Sequence, residues 1–416
     1  MATPSHGPAP LAIDGGAPAH PGSWPSWPVA DHRERDGLLA VLDSGEWWYG
    51  DRVRQFEQQF AAFQNARFAI SCVNGTAALE LGLIGCGVGA GMEVIVPPYT
   101  FIATATAVLR ANAVPIFADI DLQTLNIDPD AAAAAVTERT AAIIPVHFAG
   151  LPADMDRILE LARRHSLRVI EDSAHGWGSQ WRGKGCGALG DLGGFSFQAS
   201  KNITAGEGGI VLTDDEALAD TVRSLSNCGR GKDSPWYEHY ITGGNYRITE
   251  FQAALLLAQL TRLPEQTERR ARNAALLNGG LAAVEGVHTV RDDPRVSRRA
   301  WHLYPVRIVA EEFGAPRDAA VAALRAEGVP ISQGYPHPLY RNPLFLRKGT
   351  GPAYCPVSCP FYGQPVDYAA VHCPNAERAC REVAWLPQWA LLGTDEDMHQ
   401  VLAAFRKVRH HAPRLA

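Results

Sequence analysis

The sequence predicts an α/β protein with a large, mostly parallel sheet and a smaller α/β domain after it. From about residue 70 to residue 215, short apolar runs alternate with helical stretches. Strands joined by helical crossovers pair in parallel and are covered on both faces. A strand pattern and a helix pattern return in the last third of the chain. At 416 residues the chain is long enough for two or three domains.

Seven apolar runs are predicted to form the strands of the large sheet. In chain order they are residues 67–71, 93–97, 114–120, 141–148, 167–172, 193–198 and 208–213. Helical stretches lie between several of these runs, for example at residues 76–88 and 154–166. This alternation is typical of βαβ units and of the parallel sheet that they build.

The carboxyl-terminal third begins with a helical region at residues 248–284. Apolar residues at helical spacing predict an amphipathic helix there. They are Phe251, Leu255, Leu256 and Leu260. Residues 302–310 then predict a strand and residues 316–328 a helix. We expect three parts: an amino-terminal arm (1–35) rich in Pro, Gly and Ala, a large domain (36–275) and a small domain (276–416).

Composition and charge exclude several classes of protein. The 46% hydrophobic and 20% charged residues are ordinary for a soluble globular chain. Lys and Arg number 38 against 44 Asp and Glu, so no basic excess attracts nucleic acid or an anionic membrane. No run approaches the ~18 apolar residues of a spanning helix, and the amino terminus does not have the pattern of a secretory signal. We therefore expect a cytoplasmic protein.

Eight cysteines in a chain of this length do not indicate a disulfide scaffold. The last four, Cys355, Cys359, Cys373 and Cys380, raise the alternative of a structural zinc site. Their spacing fits no common zinc pattern. We favour reduced thiols and expect no metal.

Four features follow predicted strands, at the edge where open α/β sheets bind ligands. The first is the pair Gly75 and Thr76, which opens a helix. N–H groups at a helix N-terminus bind phosphate, although a plain glycine turn with an N-cap threonine is equally compatible. The second is Asp172, which ends a strand with His175 three residues on. A carboxylate there is a common site group, but it could also cap a helix.

The third feature is Phe101, which follows two prolines at the end of an apolar strand. It could lie in the core, or it could stack on a flat cofactor ring. The fourth is Lys201 in "FSFQASKNITAGEGG", with Ser196 five residues before it. A lysine after a strand is usually a solvated charge. Ser196 alternates with phenylalanines and so faces the opposite side of the strand.

Together these features match the needs of one cofactor, a phosphorylated pyridine aldehyde. Such a cofactor needs a lysine that bonds to the aldehyde, an acid that keeps the ring nitrogen protonated, a phosphate cup and a flat wall. Lys201, Asp172, the Gly75–Thr76 turn and Phe101 supply one candidate for each need. Their combination is more specific than any one of them, and it predicts a pyridoxal phosphate site.

Several stretches also resemble a known family. They are "VNGTAALEL", "EVIVPPYTFIATATAV", "PVHFAGLPADM", "VIEDSAHGWGS", "FSFQASKNITAGEGG" and "NYRITEFQAAL". They resemble the DegT/StrS family of pyridoxal-phosphate-dependent sugar and cyclitol aminotransferases. The resemblance runs from about residue 35 to the carboxyl end. It implies the fold-type I aminotransferase architecture, with a seven-stranded, mostly parallel sheet in the large domain, and a homodimer with shared active sites.

The resemblance also implies roles for individual residues. Lys201 matches the lysine that holds the cofactor, and Asp172 matches the acid at the pyridine nitrogen. His175 stands near the ring hydroxyl, and Phe101 matches the stacking aromatic. The matched phosphate contacts are Gly75, Thr76, Ser196 and, from the partner subunit, Asn245. Some sugar dehydratases of the family carry His in place of the lysine, so Lys201 argues against that branch.

Three functions are compatible with this resemblance. Residues 44–51, 228–232 and 373–392 are similar to the 3-amino-5-hydroxybenzoate synthase branch, which dehydrates and aromatises an amino-ketone ring. Residues 334–345, with His337 as a candidate substrate contact, look more like true aminotransferases. We therefore favour amino transfer from glutamate or glutamine to a keto-sugar or ketocyclitol in antibiotic or other secondary-metabolite biosynthesis. A catalytically inactive, cofactor-binding partner or regulator is disfavoured because Lys201 and Asp172 are both present.

Overall fold

The structure, a computed structural model, describes residues 9–347, 350–351 and 354–415. Its strands are β1 (Phe68–Cys72), β2 (Glu93–Val96), β3 (Val114–Phe117), β4 (Thr140–Ile143), β5 (Arg168–Asp172), β6 (Gln180–Trp181), β7 (Lys184–Gly185), β8 (Leu192–Ser196), β9 (Gly209–Thr213), β10 (Val287–Thr289), β11 (Val296–Arg298), β12 (Leu303–Ile308), β13 (Ser332–Gln333) and β14 (Val383–Pro387). Its α-helices are α1 (His32–Ser44), α2 (Asp51–Phe63), α3 (Gly75–Gly85), α4 (Ala103–Arg110), α5 (Pro129–Ala134), α6 (Met155–His165), α7 (Glu216–Ser226), α8 (Glu250–Leu260), α9 (Leu263–Leu281), α10 (Ala310–Phe313), α11 (Arg317–Ala326), α12 (Pro343–Leu346), α13 (Pro374–Glu382) and α14 (Asp395–His411).

The large sheet has seven strands in the order β1-β9-β8-β5-β4-β2-β3. All seven apolar runs of the sequence form its strands. β9 is antiparallel to both of its neighbours, and the other six strands run in one direction. Most strand residues are buried, β8 and β9 entirely so, because helices cover both faces. The carboxyl ends of the six parallel strands therefore meet at one edge.

Two strands, β3 and β4, are shorter than predicted by three or more residues. Beyond β3, Ile120 bridges Ile127 instead of continuing in the sheet. β4 ends at Ile143, shortly before Pro145, whose nitrogen carries no hydrogen to extend the ladder. The carbonyl of Pro145 still accepts from the Asp172 N–H at 2.9 Å, so the chain stays beside β5 as it enters the ligand-binding edge.

The helical region predicted at residues 248–284 is two helices. Thr249 and Gln252 form a capping box at the start of α8. The chain breaks around Arg262, and Pro264 falls in the first turn of α9, where a missing N–H costs little. The buried face of α8 packs against α1 and α2 and forms part of a core with Phe195 and Phe197.

The small sheet is antiparallel, in the order β10-β12-β14-β13. The predicted strand at 302–310 is β12, and the predicted helix at 316–328 is α11. Helices α9, α11 and α14 enclose a second core with this sheet. The described part of the arm lies on it: Leu11 is in this core, and the N–H groups of Ala12 and Ala19 each donate to Glu327 at 2.8 Å.

Parts of the chain between β13 and β14 pack against the large sheet. Tyr340, Phe345 and Tyr368 surround Phe117 of β3 with ring centroids 5.4–5.8 Å away. The division into arm, large domain and small domain at residues 35 and 275 stays a prediction. Across the described residues, no helix combines the length and the apolar character needed to cross a membrane.

Candidate active site

A cavity of about 620 Å³ lies at the carboxyl edge of the large sheet. Asp172 ends β5, Ser196 ends β8 and Gly75 begins α3, so three elements converge there. His302 and Leu303 of the β12 segment and Trp385 of β14 close the cavity from the small sheet. The cavity is lined by seven predicted site residues: Gly75, Thr76, Phe101, Asp172, His175, Ser196 and Lys201.

Lys201 lies in the loop between β8 and β9. Its N–H donates to the Gln198 carbonyl at 2.9 Å, and its Nζ lies 5.7 Å from the centroid of the Trp177 ring. Burial lowers the pKa of the Lys201 amine to about 8, against the opposing effect of the Asp172 charge. Near neutral pH a usable fraction of this amine is therefore unprotonated, unlike that of a surface lysine.

Asp172 is 5% exposed and is held in place by two donors. The hydroxyl of Thr104 donates to Oδ2 at 2.7 Å, and the Ala174 N–H donates to Oδ1 at 3.1 Å. Burial raises the pKa of Asp172, while these hydrogen bonds and the charge of Lys201 act in the opposite direction. A cationic ring nitrogen beside it would favour the charged carboxylate further.

His175 and His302 form a tilted pair with ring centroids 4.2 Å apart. His175 Nδ1 accepts from the Ala149 N–H at 3.2 Å, so the proton of the neutral ring is on Nε2. Asn202 donates to the Ala300 carbonyl at 2.8 Å, so its oxygen faces His302 Nδ1, 2.9 Å away, and accepts a hydrogen bond from the Nδ1–H. Burial lowers the pKa of both histidines, and both rings are neutral at pH 7.

The start of α3 forms an anion cup. Asn74 caps the helix by accepting from the Ala77 N–H at 2.8 Å, and the first helical bond runs from the Ala78 N–H to Asn74. The N–H groups of Gly75 and Thr76 precede that bond and have no acceptor within the helix. A Cβ on Gly75 would lie 2.7 Å from the Ser196 Cβ, so the close approach of α3 to the end of β8 requires glycine.

These groups fit pyridoxal phosphate. The cup suits a phosphate, the buried carboxylate suits a pyridinium nitrogen, and Lys201 lines the same cavity. Phe101 is 60% exposed at the cavity wall, so it is not a core residue. Its exposed face is available for stacking.

Two predicted site residues lie away from this protomer's cavity lining. Asn245 is exposed, and its backbone bridges Asn227. His337 is half-buried and stands two residues beyond Tyr335, which does line the cavity. The partner-subunit role of Asn245 and the substrate contact of His337 both stay predictions.

Some residues that build the site were missed by the sequence analysis. Thr104 holds Asp172 from α4, His302 pairs with His175, and Tyr335 packs against Trp385 with centroids 5.3 Å apart. The polar His302 inside the apolar stretch "AWHLYPV" was an available signal. Nothing in the local pattern marks Thr104, because its partner lies 68 residues further along the chain.

A buried polar group beneath the site is structural. His147, Glu171 and Cys186 lie close enough together to suggest a metal site. The Glu171 carboxylate, however, accepts from the N–H groups of Gly187, Leu189 and Gly190 at 2.7 Å and lies 2.8 Å from His147 Nε2. Its oxygens are satisfied without an ion. Among the described residues, the four carboxyl-terminal cysteines belong to no comparable group.

Fold and site together define a class: α/β enzymes with the fold-type I aminotransferase architecture. More narrowly, the chain belongs to the DegT/DnrJ/EryC1/StrS aminotransferase family, whose sequence profile matches residues 28–359. The predicted family, the fold class and the assignment as an aminotransferase-family enzyme are confirmed.

Three relatives illustrate the range of this similarity. The L-glutamine:2-deoxy-scyllo-inosose aminotransferase of Streptomyces paromomycinus is 39% identical over 419 residues, covering 96% of this chain and 98% of the relative. The crystal structure of 3-amino-5-hydroxybenzoic acid synthase is 38% identical with a TM-score of 0.84, covering 94% and 98%. NtdA from Bacillus subtilis, solved with its cofactor PMP, is 28% identical with a TM-score of 0.78, covering 92% and 82%.

Proposed function

We propose that this enzyme moves an amino group from L-glutamine or L-glutamate to a ketocyclitol or keto-sugar, using pyridoxal phosphate bound at Lys201. One observation carries most of the weight: a half-buried lysine of lowered pKa shares one cavity with a buried aspartate and a helix N-terminus. The cyclitol aminotransferase relative, similar over almost its whole length, supports the donor and the acceptor class.

The cofactor, when bound, supplies a protonated ring that accepts electrons from the substrate carbon. The chain's own residues hold and tune it. Gly75 and Thr76 offer N–H groups to the phosphate, and Ser196 adds a hydroxyl beside them. Asp172, fixed by the Thr104 hydroxyl, keeps a negative charge for the ring nitrogen. The Nε2–H of neutral His175 is available to the ring hydroxyl.

Lys201 moves the proton. With a pKa of about 8, roughly a tenth of its amines are neutral at pH 7, whereas the fraction at the ordinary pKa of 10.5 is well under a thousandth. As a free amine, the Lys201 Nζ would take the proton from the substrate carbon and return it later in the same half-reaction. Burial is therefore part of the chemistry, since it makes this amine a base.

We further propose a homodimer in which Asn245 of one subunit reaches the phosphate of the other. Several large side chains are exposed in this single chain: Trp47, Trp48, Trp236, Tyr237, Tyr240 and Ile241. Trp236, Tyr237, Tyr240 and Ile241 lie in the segment that leads to Asn245. Exposed aromatic surface of this kind is typical of an interface.

The test has two parts. Borohydride reduction of the cofactor-loaded enzyme, followed by peptide mapping, should place the label on Lys201. The enzyme is then given glutamine or glutamate without an acceptor, and the absorbance of the lysine-bound cofactor should fade. Adding the matching ketone from a panel of ketocyclitols and keto-sugars should restore it, with an aminated product by mass spectrometry. A label elsewhere, or absorbance that ignores every donor, contradicts transamination at Lys201.

A second function is favoured by one observation: 3-amino-5-hydroxybenzoic acid synthase has a TM-score of 0.84 with this chain. Dehydration and aromatisation of an amino-ketone ring would also use Lys201 as the base. Such a reaction starts from a substrate that already carries its amine and needs no donor. An aromatic product formed from an amino-ketone ring without glutamine or glutamate would assign the enzyme to that branch.

A further inference from the structure

The turn that leads into Lys201 is held at its central peptide. The Lys201 N–H donates to the Gln198 carbonyl at 2.9 Å, which closes a β-turn over residues 198–201. The peptide that joins Ala199 to Ser200 lies in the middle of this turn, and its orientation distinguishes one turn type from another. The Ser200 N–H donates to the side-chain oxygen of Gln198 at 2.9 Å. The orientation of the turn then depends on what the Ala199 carbonyl contacts.

The partner of the Ala199 carbonyl comes from the amino-terminal arm. The indole Nε1–H of Trp27 donates to this carbonyl at 3.1 Å. The guanidinium of Arg270, a fully buried residue of α9, lies 5.7 Å from the centroid of the Trp27 ring. The indole therefore contacts a buried cation as well as the turn. Trp27 joins the arm to the loop that carries Lys201, and none of the roles proposed above uses it.

The arm is tied to the rest of the chain on each side of Trp27. Three residues before it, the indole N–H of Trp24 donates to the Gly328 carbonyl at 2.9 Å, in the small-sheet part. Two residues after it, the Val29 carbonyl accepts from Nη2 of Arg262 at 2.8 Å. These two anchors leave the Trp27 backbone little freedom, so the indole can act as a fixed donor for the turn.

The two sides of Lys201 are held differently. On the carboxyl side, the buried side chain of Asn202 donates to the Ala300 carbonyl at 2.8 Å. On the amino side, Ala199 and Ser200 are exposed. Within the described part of the chain, the hydrogen bond that this side receives from outside the loop is the one from the arm indole. The amino side of the loop therefore depends on the arm.

We propose that Trp27 is a positioning residue for Lys201: its indole N–H fixes the Ala199 carbonyl, and the fixed turn keeps the Lys201 amine inside the cavity. The chemical role of Lys201 rests on the proposed function, whereas the contact with Trp27 does not. Without the indole N–H the turn opens more often, and Lys201 spends more time in water. Because burial lowers the pKa of the Lys201 amine to about 8, that pKa should then rise toward its ordinary value of 10.5.

Two substitutions in the same arm provide the comparison. Trp27→Phe removes the indole N–H and keeps an aromatic ring beside Arg270. Trp24→Phe is the matched control, because it removes the same kind of hydrogen bond, to the Gly328 carbonyl in the small-sheet part. Both tryptophans are half-buried, so we expect both variants to fold. The melting temperatures of the cofactor-free proteins check this expectation.

Hydrogen exchange measures how often the turn opens. In cofactor-free Trp27→Phe, peptides that contain residues 198–201 should exchange about 2- to 10-fold faster, which is the usual effect of losing one neutral hydrogen bond. In Trp24→Phe the same peptides should exchange at the rate of the unmodified protein. Unchanged exchange in Trp27→Phe would overturn the proposal. Equal acceleration in both variants would also overturn it, because the effect would then belong to the whole arm.

Reductive methylation with peptide mapping measures the Lys201 amine itself. The pH midpoint of its reactivity should be higher in cofactor-free Trp27→Phe than in the unmodified protein, and it should not change in Trp24→Phe. An unchanged midpoint in Trp27→Phe would overturn the positioning role. This measurement needs neither cofactor nor turnover. A borohydride label at a residue other than Lys201 would therefore refute the proposed function and leave the exchange and methylation results as they are.

Kinetics of the cofactor-loaded enzyme separate positioning from substrate binding. In Trp27→Phe the donor half-reaction should slow about 2- to 10-fold while the KM for the donor stays the same, because the indole contacts the turn and not the substrate. Trp24→Phe should leave both quantities unchanged. A raised KM with an unchanged rate in Trp27→Phe would overturn the assignment, since Trp27 would then act in substrate binding.

Discussion

Replacing Gly75 with alanine tests how the proposed phosphate cup depends on one close contact. The added Cβ would lie 2.7 Å from the Ser196 Cβ and 3.3 Å from the Ser196 Cα and Oγ. Ordinary carbon contacts are about 3.5–4.0 Å, so the start of α3 and the end of β8 must separate by roughly 1 Å. Overpacking of this kind costs about 1–3 kcal/mol of stability.

The same displacement changes the direction of the Gly75 and Thr76 N–H groups. A hydrogen bond to a charged group contributes about 1.5–3 kcal/mol, so the affinity for pyridoxal phosphate should fall about 10- to 100-fold. Denaturant unfolding of the cofactor-free protein measures the first effect. Titration with pyridoxal phosphate, followed by its absorbance, measures the second.

Gly89→Ala is the matched control, because a Cβ there meets no heavy atom within 4 Å and the backbone is not left-handed. Its stability should stay unchanged or rise by up to about 1 kcal/mol, and its cofactor affinity should stay the same. If Gly75→Ala binds the cofactor like the unmodified protein and loses no stability, the proposed cup is wrong.

Three further predictions follow from the site. In the cofactor-free protein, the reactivity of the Lys201 amine should titrate near pH 8. Asp172→Asn should lower that midpoint, because the Asp172 charge raises the pKa of Lys201. Reductive methylation at a series of pH values measures both midpoints, and a midpoint near 10.5 in the unmodified protein contradicts the effect of burial. Lys201→Ala and Asn245→Ala subunits, each inactive as homodimers, should regain part of the activity when mixed; no recovery after confirmed subunit exchange argues against shared sites. If His337 contacts the acceptor, His337→Ala should slow the acceptor half-reaction in stopped-flow absorbance and spare the donor half-reaction; equal effects on both halves contradict that contact.

The parts of the fold and site that the sequence predicted depend on residues that are close together along the chain. The strands of the large sheet are buried on both faces, so each is a continuous apolar run, and the residues at their ends could be placed at one edge. Asp172, Ser196 and Lys201 were identified in this way, and the structure places all three in one cavity.

The parts that were missed depend on tertiary packing. His302, Tyr335 and Trp385 reach the cavity from the small-sheet side. No local sequence pattern predicts where the small sheet packs against the large one. The three-stranded sheet of β6, β7 and β11 was also not predicted, because strands of two or three residues show no alternation to recognise.

The division of the cavity walls has a consequence for how this enzyme could diversify. The residues proposed to hold the cofactor belong to the large-sheet part, whereas His302, Leu303 and Trp385 come from the small-sheet part. Of the second group, only His302 contacts a residue proposed to hold the cofactor, because its ring pairs with His175. Mutations at Leu303 and Trp385 can therefore alter which ring ketone is accepted while leaving cofactor chemistry intact. Directed evolution toward new aminocyclitols should concentrate its libraries on these two positions, with Gly75, Asp172, Lys201 and His302 held constant.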